Sequence, residues 1–190
     1  MTNPQDTLAQ WLEQSAAVRA RMIEGGGKPG LAKPEHFMGK TGLQQMQGML
    51  NGSMPYPHIA ETVDFSLVEI ELGKAVFQGT PQLKHYNPLG SVHGGWYATL
   101  LDSAVGCAIH TMMPVGRGYT TAELSVNIVR AASHQSGPLR AIGTVIHCGK
   151  QLATAEGRIV GPDGKLYAHA TTTCLVFEMA KTRLPIMDML

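Results

Sequence analysis

Leu8, Trp11, Leu12, Val18, Met22 and Ile23 recur at helical spacing behind Asn3-Pro4. That pattern predicts an amphipathic helix over 4–24, with Asn3 as its cap and Pro4 at the first helical position. Gly25-Gly26-Gly27 ends it, and the Gly- and Pro-bearing run to Lys40 reads as a linker. At Thr41 the pattern starts again: Thr41 and Gln44 form a capping box, and Leu43, Met46, Met49 and Leu50 share one face of a short helix closed by Asn51-Gly52. From Thr62 to Glu71 apolar residues alternate, with a change of phase between Leu67 and Val68 that predicts a bulge. Gly73 turns the chain into a second strand over 74–83, and a long apolar helix over 93–113 follows. Four strand-like stretches come next: Tyr119 to Ala131, Leu139 to Cys148, Gln151 to Val160 and Lys165 to Phe177. Cys148-Gly149-Lys150 and Pro162-Asp163-Gly164 carry turn chemistry between them.

Helix, two strands, long helix and then an antiparallel meander make an α+β fold, one helix lying on a strongly curved sheet. Such a sheet leaves edges and a face in need of partners, so self-association is expected. Three segments follow: a helical extension and linker over 1–40, the domain proper over 41–178, and a C-terminal tail over 179–190.

The long helix contains the oddest residue. In HYNPLGSVHGGWYATLLDSA, residues 85–104, a single carboxylate, Asp102, sits inside a run of apolar and small residues. Gly94 to Val115 has about the length that spans a bilayer. Asp102 at its centre, His110 near its end, three glycines and the lack of a flanking basic cluster favour a buried core helix instead.

Composition narrows the choice without naming a chemistry. The 190 residues carry a net charge of +1, which gives no electrostatic reason to expect a nucleic-acid or acidic partner. Cys107, Cys148 and Cys174 lie in apolar runs, without metal-site spacing, and read as reduced core residues of a cytoplasmic protein. No secretory signal is evident at the N-terminus. No metal or cofactor is expected.

Gly94 and Gly95 open the helix where backbone amides lack intrahelical acceptors. Without side chains they admit a ligand oxygen, and the helix dipole favours negative charge there. The bland alternative is tight packing on the sheet. Asp102 lies seven residues past Gly95, on the same face but roughly 10 Å along the axis. One reacting carbon does not touch both. If they cooperate, the carboxylate comes from a second copy of the chain across a two-fold interface. Otherwise Asp102 is a structural carboxylate bonded to a neighbouring backbone.

Asn87, then His93-Gly94-Gly95, then Asp102 on a helix of small and apolar residues resembles the signature of hotdog-fold acyl-CoA thioesterases. The nearest type is the phenylacetate-pathway (PaaI-like) group, which includes acyl-CoA thioesterase 13. The resemblance covers about 41–178. It implies the hotdog fold as a homodimer or a homotetramer built of dimers, and hydrolysis of acyl-CoA with coenzyme A as part of the substrate. It also implies roles. Asn87 would orient water or the carbonyl, and the Gly94 and Gly95 amides would polarise the thioester. Asp102 of the other subunit would be base or nucleophile, and Thr121 would position water. His147, Gly149, Lys150 and Gln151 match a turn that contacts coenzyme A, with Lys150 a candidate for its phosphates. His93 belongs to the motif, but by helical phase it points away from Asp102, so it reads as a cap or a loop contact rather than the base. Asn87 before Pro88 is also ordinary turn chemistry.

Two other readings stay open. One is a hydratase or dehydratase of enoyl or hydroxyacyl thioesters on the same fold, which would pair an Asp with a His in one site. The other is a non-catalytic acyl-CoA-binding module. No Gly-x-Ser-x-Gly occurs, which removes the α/β-hydrolase route. The acyl group itself is not specified, although Trp96, Tyr97, Met112 and Met113 are near enough in sequence to bear on it.

Overall fold

A computed structural model describes residues 3–179; the expected tail from 180 onward lies outside the described residues. Helix α1 (Pro4–Glu24) starts where Asn3 accepts a hydrogen bond from the Gln5 amide at 3.1 Å. The expected linker is not free. A short helix α2 (Pro34–Phe37) interrupts it, and the Gly30 amide donates to the Tyr56 carbonyl at 3.0 Å. Helix α3 (Gly42–Leu50) carries the capping box: the Thr41 amide donates to Gln44 Oε1 at 2.9 Å and the Gln44 amide to Thr41 Oγ1 at 3.3 Å. A one-turn helix α4 (Ile59–Thr62) leads into strand β1 (Phe65–Glu71), whose register slips between Leu67 and Glu69, so Val68 is the extra residue. Strand β2 (Lys74–Gly79) is shorter than 74–83. Pro81 has no amide hydrogen for a ladder, and the chain leaves the sheet there.

Helix α5 (Gly94–Thr111) precedes β3 (Arg117–Ile128), β4 (Leu139–Cys148), β5 (Leu152–Val160) and β6 (Leu166–Glu178). All neighbours are antiparallel, in the order β1-β2-β4-β5-β6-β3. This corrects the expected meander. Strands β4, β5 and β6 run as consecutive neighbours, but β3 pairs with β6 at the far edge and β4 pairs with β2. A meander would need β3 beside β4. Here the ten residues from Val129 to Pro138 carry the chain across to β2 instead.

The sheet wraps α5 closely because its inner face is small. Ala141, Ala153 and Ala155 are fully buried. A Cβ on Gly143 would stand 2.2 Å from the Ala104 carbonyl oxygen, and one on Gly157 2.7 Å from Val105. Leu100, Leu101, Val105 and Ile109 fill the space, each contributing roughly 2 kcal/mol by burial. The helix is not sealed all round, however. Thr99, Asp102 and Ser103 are only half-buried, so α5 keeps an accessible stripe. No described helix is long and apolar enough to cross a membrane.

Helix α1 lies outside this core. Trp11 stacks on the Arg140 guanidinium at 4.5 Å, and Arg140 Nε donates to Gln78 Oε1 at 3.0 Å. Arg140 is three positions from Gly143, so strand alternation puts it on the sheet face turned away from α5.

Candidate active site

His93 caps α5. Its Nδ1 accepts from the Gly95 amide at 2.9 Å, while its carbonyl accepts from Trp96 N at 3.0 Å. The expectation that both glycine amides are free is therefore corrected: the ring folds back onto Gly95, doing what a Ser or Asp does at other helix starts. The Gly94 amide has no acceptor among the described residues. It is the first-turn donor left for a ligand oxygen. Gly94 also abuts Ile128 of β3, where a Cβ would sit 3.2 Å from Ile128 Cδ1.

Two turns along, Asp102 meets Thr121, whose Oγ1 donates to Asp102 Oδ1 at 3.1 Å. A second bulge makes this contact. The β3–β6 register shifts between Thr121 and Glu123, leaving Ala122 over. Before it, Tyr119 and Thr121 face the helix; after it, Leu124 and Val126 do. The Thr121 hydroxyl also accepts a long contact from the Cys174 thiol, 4.0 Å away. Gly95, Thr99, Asp102 and Gly106 share one stripe of α5 by helical phase.

The cysteines near Asp102 are not nucleophiles. Burial, and next the charge of Asp102, push the Cys107 thiol up to about 12. Burial raises Cys174 as well. Both stay protonated at neutral pH, and a thiol is a poor nucleophile. Among the nearby groups Asp102 is the one suited to take a proton from water.

Asn87 makes no hydrogen bond to Asp102 of its own chain. Its Oδ1 accepts from the Leu89 amide at 2.9 Å and the Ser91 amide at 3.3 Å, and its Nδ2 donates to Ser91 Oγ at 3.0 Å. The side chain closes its own loop, which is turn chemistry and fixes Asn87 just ahead of the helix start. His93 likewise acts as a cap.

The expected coenzyme A turn lies near the far end of α5. Gly149 and Lys150 line a cavity of about 270 Å³ with Met112, Met113, Pro114 and Arg117. The Gly149 amide donates to the Leu152 carbonyl at 2.8 Å and tightens the turn. His147 and Gln151 are exposed and do not line that cavity. Arg117 was not anticipated. Its guanidinium donates to the Lys150 carbonyl, and its Nε is buried with no partner among the described residues. Its sequence signal was slight, one cation between glycines where helix passes into strand.

Comparison with known proteins agrees with this architecture. A family model described as thioesterase superfamily matches residues 89–168, from the loop before α5 into β6. A 1,4-dihydroxy-2-naphthoyl-CoA hydrolase of Listeria monocytogenes is 29% identical over 123 residues, 65% of this chain and 98% of that protein. A phenylacetic acid degradation-related protein of Ralstonia eutropha JMP134 superposes with a TM-score of 0.62 at 27% identity, covering 68% of this chain and 97% of its own. AziG of S. sahachiroi shares the fold at a TM-score of 0.62 with 18% identity, over 65% of this chain and 98% of that one. The chain thus has the hotdog fold, and its residues 89–168 match the thioesterase superfamily.

Proposed function

We propose that the protein hydrolyses acyl-CoA thioesters in a site shared between two copies of the chain. Asp102 of one copy takes a proton from water, and the water oxygen attacks the thioester carbonyl carbon. The resulting oxyanion is held by the amide of the partner subunit's Gly94. The tetrahedral intermediate then expels the thiolate of coenzyme A, which recovers the proton from Asp102. Atoms balance with water as the only co-reactant, and no metal or cofactor is needed. Thr121 fixes one carboxylate oxygen and leaves the other for water.

The Thr121–Asp102 hydrogen bond on the accessible stripe of α5 carries this reading. Asp102 stands roughly 10 Å along the axis from the glycines of its own chain. Self-association is supported by β3, a twelve-residue edge strand with no second neighbour among the described residues. The cationic pair Arg117 and Lys150 suits the phosphates of coenzyme A. Between Asp102 and Met112 lie about 15 Å of helix axis, a stretch suited to an extended pantetheine arm. A hydratase would use a His beside the Asp, and the His93 Nδ1 is engaged at the cap.

The test is thiol release from a panel of acyl-CoAs by wild type and Asp102→Asn. Turnover that the variant loses supports the proposal. Binding without turnover by the wild type would sink it in favour of a binding module.

A further inference from the structure

A second, larger cavity lies against a neighbouring strip of α5. It holds about 680 Å³ between α1, α3, α4 and the edge strand β1, and Ser103 and Cys107 of α5 belong to its lining. That volume falls within the range of small-molecule sites. Val18 and Met22 of α1 face Met49 of α3 and Phe65 and Leu67 of β1 across it. Ser103 directly follows Asp102 in the helix, about 100° around the axis. The cavity thus begins at the residue beside the reacting carboxylate.

The geometry points to this cavity as the acyl site, with an extended, uncharged aliphatic chain as its occupant and α1 as one wall. This rests on the thioester-hydrolase reading with Asp102 as the base. The lining is mainly apolar, with Ser103 and Gln78 as inner polar members, and its one cation among the described residues, Arg19, is exposed. Glu61 is exposed like Arg19, and Asp64 is paired with Lys84 at 3.0 Å, so the inner lining offers no unpaired charge to the end of an acyl group. Phe65 and Phe77 pack edge-to-face on one another at 5.6 Å, so they do not form a slot for an aryl ring. The adaptable thioethers of Met22 and Met49 suit a flexible chain better. Trp96 and Tyr97, the nearer aromatic candidates by sequence, are sealed in the core at 3% and 1% exposure. Helix α1 lies outside the family-matched segment 89–168, so this wall belongs to the chain's own extension.

The experiment uses the full chain labelled with [methyl-13C]methionine and S-decyl-coenzyme A, a thioether without a carbonyl to hydrolyse. Met22 and Met49 methyl resonances, assigned through Met22→Leu and Met49→Leu, are expected to shift on titration. A shift confined to Met112 and Met113 overturns the proposal. In a second arm, Met22→Trp is expected to lower the decanoyl-CoA to acetyl-CoA ratio of kcat/KM by about tenfold; an unchanged ratio also overturns it. Failure of the hydrolase reading looks different: no thiol is released from any acyl-CoA, whether or not the methionine signals move.

Discussion

Asp102 accepts a hydrogen bond from Thr121 at 3.1 Å and is the one carboxylate on the accessible stripe of α5. Asp102→Asn keeps the shape and the bond from Thr121 but cannot take a proton from water. A general base is worth about 10²–10⁴ in rate, so kcat should fall by that factor with thermal stability retained. Thr121→Val should lower kcat by a smaller factor, about tenfold, since it removes orientation rather than the base. Steady-state thiol release on both variants checks the order; an Asp102→Asn enzyme with wild-type kcat contradicts the mechanism. His110 gives a prediction on stability instead. Its Nε2 donates to Gln45 Oε1 at 2.9 Å, and burial lowers its pKa to about 4 from 6.5. Below 6.5 the unfolded chain binds a proton that the folded chain refuses until about 4. Stability should therefore fall as pH drops through that window, by roughly 3 kcal/mol at most, and level off below it. Urea melts of wild type and His110→Gln between pH 7 and 4 should show a flatter profile for the variant. Of these residues Asp102 was readable in the sequence as a lone acid in an apolar run. Thr121 was readable only through family resemblance, because its contact with Asp102 spans nineteen positions.

Elements were readable wherever their causes are local. Asn3-Pro4 started α1, Thr41 and Gln44 started α3, and the change of parity at Val68 became a bulge in β1. The bulge at Ala122 leaves a similar trace, Tyr119 in one phase and Leu124 and Val126 in the other. The sequence alone does not mark it as a bulge, because nothing local says which side of β3 faces the helix. The place of β3 beside β6 is likewise a property of the whole sheet, not of any short run. At the start of α5 the sequence offered His93 as a cap or a loop contact, and the imidazole takes the cap. His93→Ala should cost about 1 kcal/mol, the usual loss for a cap. His93→Asn should restore most of it, since Asn is a good capping residue. Denaturant midpoints of the three proteins measure this; equal stability of wild type and His93→Ala would mean the ring contributes nothing at the helix start.

At the scale of the whole molecule the decisive question is whether one site needs two chains. Gly94→Pro removes the amide hydrogen proposed to hold the oxyanion. Proline is well suited to the first helical position, and His93 already has the extended backbone, φ −61 and ψ 139, that a following proline favours. The variant should fold, with the terminal methyl of Ile128, 3.2 Å from the added Cβ, yielding to the ring, and lose most of its activity, while Asp102→Asn loses activity at the other half of the site. Mixed after dissociation and reassociated at random, the two inactive proteins form hybrids as about half of the dimers. In each hybrid, Asp102 of the Gly94→Pro chain faces the intact Gly94 of the Asp102→Asn chain, so one of two sites is whole. Recovery of about a quarter of wild-type activity follows from that two-fold arrangement. If each site used Asp102 and Gly94 of a single chain, every site in every mixture would carry one lesion and none of the activity would return.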